Sequence, residues 1–165
     1  GYEVYDGKPI VYSMGNFLFK SSSERSANDS WYYGYMTELD IDKSGIDFCI
    51  IPYKFNPEAT RITVFEGDEK HKMLGYIAGL SEIIKDPPLL DNYFSGWAYL
   101  HKWVPQAPSN DFDLKEYNSS GNYNLISCES HLSQAKKVLE FCFPDRVAEA
   151  KEWSEKIKEL TVMPV

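Results

Sequence analysis

The chain has 165 residues, 43% hydrophobic and 25% charged, which is enough apolar content for a packed core and excludes a disordered tail. Seventeen Lys and Arg against twenty-five Asp and Glu leave a net charge of −8, which argues against a nucleic-acid backbone or an anionic lipid surface as partner. No apolar run reaches the ~20 residues that span a bilayer, and three cysteines are too few for a disulfide scaffold.

The chain opens at Gly1 directly in strand-like sequence and is read as part of a longer protein. Residues 2–5 are extended, residues 6–9 (Asp-Gly-Lys-Pro) form a turn, and residues 10–14 are a second strand. Gly15 and Asn16 break it, because both tolerate a left-handed backbone. Residues 17–19 resume an apolar run, and residues 20–30 are a polar, serine-rich loop. From Tyr33 to Ile41 the residues Tyr33, Tyr35, Thr37, Leu39 and Ile41 share one face, with Glu38, Asp40 and Asp42 on a wet one. Residues 43–45 turn the chain, residues 46–53 run back, and residues 61–66 form a further short strand. Met73, Leu74, Ile77, Leu80 and Ile84 then fall at helical spacing, predicting an amphipathic helix over 69–85 that Pro87 and Pro88 end. Residues 91–103 predict a short aromatic helix, and residues 104–122 read as a loop. Leu132, Ala135, Val138, Leu139 and Cys142 mark another helix, and Pro144 suits the first turn of the last one. Glu152 and Lys156 stand one turn apart there, in the supportive order.

Residues 2–19, YEVYDGKPIVYSMGNFLF, resemble the segment E-x-Y-x-G-K-P-I-x-Y-S-(L/M)-G-N-F-x-F of CapA-like proteins. That family is associated with capsule and poly-γ-glutamate biosynthesis and is similar to calcineurin-type metallophosphoesterases. The resemblance implies part of a two-sheet sandwich whose parent holds two divalent metal ions and sits at the cell envelope. It extends to about residue 85, and beyond that the chain is a helical extension. In the family the Asp, His and Asn ligands, ending in a G-H-x-x-H-like motif, precede the E-x-Y segment. The resemblance therefore implies no metal ligand, cofactor or catalytic residue within this chain, which would be inactive alone. It implies as partner the upstream half of the parent, with a second copy of the chain as the alternative.

The candidate binding residues are Ser13, Gly15, Asn16 and Phe17, because a Gly-Asn break at a strand end can aim backbone N–H groups and an amide at an anion. The competing reading is a turn whose asparagine serves its own backbone. His71, His101 and His131 stand far apart with no second ligand at short spacing, so no metal site is read from them. Cys49, Cys128 and Cys142 lack a C-x-x-C spacing, and Cys49 and Cys142 read as buried small hydrophobes. Asp40 with Asp42, and Asp111 with Asp113, read as solvated surface. The Asn28 and Asn118 sequons are common by chance. Trp31, Tyr32, Tyr33 and Tyr35, with Phe94, Trp97, Tyr99 and Trp103, are either core or a platform for carbohydrate or peptide.

The expected fold class is α+β: an antiparallel β portion, residues 1–67, as part of the sandwich, followed by a helical portion, residues 68–165. Truncation within a sandwich would leave an open apolar face on residues 2–19, carrying Val4, Ile10, Tyr12, Phe17 and Phe19. The alternative function is a non-catalytic envelope module that binds polymer or protein through its aromatics.

Overall fold

A computed structural model describes residues 1–101 and 127–165. Asp111, Asp113, Trp103 and Asn118, together with the side chain of Cys142, lie outside the described residues. The chain is α+β, with two antiparallel sheets followed by four α-helices among the described residues.

Strands β1 (Tyr2–Tyr5) and β2 (Lys8–Val11) form a two-stranded sheet with Tyr5 paired to Lys8. Asp6 and Gly7, at φ 49° and 71°, make a two-residue turn whose twist matches the strands. The second strand therefore starts two residues before the expected residue 10 and ends at Val11. Pro9 is tolerated because parity in the ladder points its missing N–H away from β1. Tyr12 extends the pairing by donating its N–H to the Gly1 carbonyl at 3.1 Å.

Strands β3 (Tyr33–Ile41), β4 (Ile46–Phe55) and β5 (Ile62–Val64) form the second sheet, in the order β3-β4-β5. The expected β3 face is correct in register: Tyr35, Thr37, Leu39 and Ile41 stand opposite Pro52, Ile50, Phe48 and Ile46. The burial is not uniform along it. Tyr33 and Tyr35 are buried, whereas Leu39 and Ile41 at the hairpin tip are 51% and 66% exposed.

Helix α1 (Gly67–Ile84) carries Asp68 and Glu69 in its first turn, where they complement the positive end of the helix dipole. It buries Met73, Ile77 and Ser81. Ser81 ties helix to sheet: its hydroxyl donates to the Ile77 carbonyl at 2.8 Å and accepts the Tyr2 N–H at 3.1 Å. Tyr32, Tyr33, Tyr53, Phe55, Phe65, Met73 and Met163 form the core cluster. Burying each large apolar side chain of this kind stabilises the fold by roughly 1.5–3 kcal/mol.

Helix α2 (Pro87–His101) begins at the very prolines expected to close α1, since proline is at home in a first turn. Helix α3 (Glu129–Leu139) follows, and helix α4 (Pro144–Leu160) starts on Pro144 as expected. Glu152 and Lys156 pair at 3.1 Å. Leu139, placed on the apolar stripe from its spacing, is 62% exposed.

The chain divides into two compact units. One comprises residues 1–90 and 159–165, the other residues 91–158. The last residues rejoin the first unit: Asp29 and Val162 form an antiparallel bridge, and Met163 donates its N–H to the Asn28 carbonyl at 3.2 Å. Within residues 91–158, Lys137 pairs with Asp91 at 2.8 Å, and the Tyr93 and Trp153 rings meet edge-on at 4.9 Å.

Candidate functional site

The corner at residues 13–17 is built from its backbone. Gly15 has φ 81°, a conformation that L side chains rarely adopt, and forms an antiparallel bridge with Gly34 at the start of β3. Both glycines are required by close approach. A Cβ on Gly15 would lie 2.6 Å from the Tyr33 carbonyl oxygen, and one on Gly34 would lie 2.6 Å from the Tyr53 hydroxyl. Tyr35 donates its N–H to the Met14 carbonyl at 2.9 Å, and the Tyr53 hydroxyl donates to the Asn16 carbonyl at 2.9 Å. Phe17 lies edge-on against Tyr53, with ring centres 5.9 Å apart. The corner is thereby stitched to the base of the β3–β4 hairpin.

Two of the donors that an anion would need are engaged within the chain. The Asn16 amide donates to the Trp31 carbonyl at 3.2 Å, and the Gly15 N–H donates to the Ser13 hydroxyl at 3.4 Å. The asparagine's amide reaches a carbonyl fifteen residues along the chain rather than the backbone of its own turn.

Ser13 and Gly15 also form the rim of a cavity of about 280 Å³ within the first unit. Its walls include Ile77 of α1 and Met163, and Tyr35 and Tyr76 supply hydroxyls. Both hydroxyls act as donors: Tyr76 to the Leu160 carbonyl at 2.6 Å and Tyr35 to the Gly1 carbonyl at 3.4 Å. Burial raises the phenol pKa of each above its ordinary value, and Tyr2 adds a smaller effect at Tyr35. Among the described residues that line it, none carries an Asp, Glu, Lys, Arg or His side chain.

The other candidates separate. Among the described residues, no three His, Cys, Asp or Glu side chains gather closely enough to hold a metal ion. The metals that the family resemblance implies therefore do not fit the residues described. His71 lies exposed on α1, His101 is exposed at the end of α2, and His131 is half-buried on α3. Asp40 and Asp42 are both exposed, as expected. Cys49 was read as buried and is exposed. It stands opposite Glu38 on the wet face and directs its thiol to the Glu38 carboxylate at 3.6 Å. Tyr32, Tyr33 and Tyr35 belong to the core and not to a platform. Among the described residues the exposed aromatics are instead Tyr5, Tyr12, Phe17, Phe19 and Phe143, with Val4 and Ile10 close in sequence to the first of these. Phe19 packs on Trp31, and the Arg25 guanidinium lies 4.2 Å above that indole.

Cys128 was read from the sequence only as lacking a C-x-x-C spacing. Cys128 immediately precedes α3, 3.1 Å from the Ser130 hydroxyl. That hydroxyl, and then the backbone N–H groups of His131 and Ser130, hold the thiol pKa below its ordinary value, against weaker opposition from desolvation and Glu129. The serine two positions along, just ahead of a helical stripe, was the available signal.

No family model, curated protein or solved structure matches the chain. Among the described residues, no helix is long and apolar enough to cross a membrane.

Proposed function

We propose that the chain is the C-terminal part of a CapA-like protein of capsule or poly-γ-glutamate biosynthesis, whose upstream part supplies the metal centre of a phosphoesterase-like sandwich. The likeness of residues 2–19 to the family segment carries the reading. The left-handed Gly15 bridged to Gly34 supports it, since it gives the G-N pair of that segment a physical reason to be there. In this reading residues 13–17 form a rim of the active site and the helices an extension. The residues of this chain position and cover, and none is given a proton-transfer step. A second reading, a module that binds polymer or protein, is favoured by the exposure of Tyr12, Phe17 and Phe19.

The test is metal content and phosphodiester hydrolysis, measured on this chain alone and on the parent with its upstream part. The chain alone is expected to retain no stoichiometric metal and to leave a generic phosphodiester intact, while the parent holds two metals. Two tightly bound transition metals per copy of this chain alone would overturn the reading.

A further inference from the structure

The order β3-β4-β5 makes β3 an outer strand. In an antiparallel ladder successive residues turn their backbone groups alternately towards and away from the partner. Tyr35 points away from β4, because its N–H reaches the Met14 carbonyl, and Asp42 turns inward to the Gly45 carbonyl at 3.1 Å. By that parity Thr37, Leu39 and Ile41 also point outward. Among the described residues, no backbone group pairs with them.

The two faces beside this open edge differ in chemistry. Leu39 and Ile41 stand opposite Phe48 and Ile46, forming an apolar strip. On the reverse face Glu38 and Asp40 stand opposite Cys49 and Asp47, so that two aspartates face each other directly. No Lys or Arg among the described residues forms an ion pair with Glu38, Asp40 or Asp47. Like charges directly opposite on a sheet destabilise it, and a cation placed beside them relieves the repulsion.

We propose that residues 37–41 of β3 are a docking edge for an extended segment of another protein bearing lysine or arginine at alternate positions. The strand period fixes that pattern: apolar side chains on the face of Leu39 and Ile41, cations on the face of Glu38 and Asp40. A second copy of this chain does not fit. Every antiparallel register that pairs Thr37, Leu39 and Ile41 with their own copies brings Glu38, Asp40 or both opposite another carboxylate. The same carboxylates that keep two copies apart therefore select a basic partner. The proposal is independent of the metallophosphoesterase reading.

The test uses the full chain and synthetic peptides of about six to eight residues, near the usual strand length. One peptide alternates lysine with valine, one alternates glutamate with valine, and one carries the lysines and valines in two blocks. Amide hydrogen exchange at residues 37–41 and peptide affinity are measured. The alternating lysine peptide is expected to slow exchange at Thr37, Leu39 and Ile41 by about tenfold or more. The glutamate and block peptides should leave those amides unprotected. The double variant Glu38→Lys/Asp40→Lys, altering two exposed side chains, should transfer the preference to the glutamate peptide. Equal protection by both alternating peptides, protection by neither, or slowing of these amides with protein concentration alone would overturn the proposal.

Discussion

The two compact units close their interiors by opposite means. In the unit of residues 1–90 and 159–165 the buried positions are large, with Tyr33, Tyr53, Phe55 and Phe65 among them. Among the described residues of 91–158 they are mostly small, Gly96, Ala98, Ala135, Ala150 and Ser154, with Gln134 the one large exception. A helix layer on a sheet leaves a gap that bulky rings must fill, whereas two helices can bring their backbones together where side chains are absent. The first unit should be damaged by truncation and the second by enlargement.

Gly96→Ala tests that contrast most severely. An added Cβ would lie 2.6 Å from the Trp153 carbonyl oxygen and 2.7 Å from the Ser154 backbone nitrogen, neither of which can swing aside. Helix propensity alone favours alanine by about 1 kcal/mol, yet the expected outcome is destabilisation by about 3 kcal/mol. Urea unfolding with hydrogen exchange mapped by segment checks it, with lost protection confined to residues 91–158. A stabilised variant would break the comparison.

Gly15→Ala asks whether the aromatic unit has its own place where bulk is forbidden. Its positive φ and the close Tyr33 carbonyl predict a loss of about 2 kcal/mol, read as a lower urea midpoint. An unchanged midpoint would remove the corner from the elements that hold the hairpin base.

The smallest effect concerns the thiol just ahead of α3. Cys128 should be alkylated at lower pH than a free cysteine, because Ser130 and the helix N–H groups stabilise its thiolate. Ser130→Ala should move its rate profile to higher pH. Mass spectrometry of the labelled peptide reads the rate, and a profile that Ser130→Ala leaves in place would refute the assignment.

Local chemistry was legible in the sequence. The Asp6-Gly7 turn, the full extent of β3 and the stripe from Met73 to Ile84 follow from dihedral preference and periodicity. What depends on distant partners was not. Alternation showed that Leu39 and Ile41 share a face with Tyr33 but not that cover ends before them. Strand parity alone could not say which side of β4 was wet, so Cys49 was placed inside. The small residues of α2 and α4 carry little hydrophobic signal, and their close approach is fixed by Trp153, far along the chain from Gly96. The left-handed backbone at Gly15 follows from its residue type, whereas the partners of Asn16 and Tyr53 come from segments that no local pattern links.

The return of residues 159–165 to the first unit bears on the order in which the protein can be made. Met163 belongs to the aromatic core, and Leu160 accepts the Tyr76 hydroxyl, yet both leave the ribosome only after all of residues 91–158. During synthesis the helical unit can become compact while the earlier, larger unit still waits with an open side. A ribosome that stalls or a protease that trims within residues 159–165 would therefore release a chain in which residues 91–158 are packed and residues 1–90 are not fully covered.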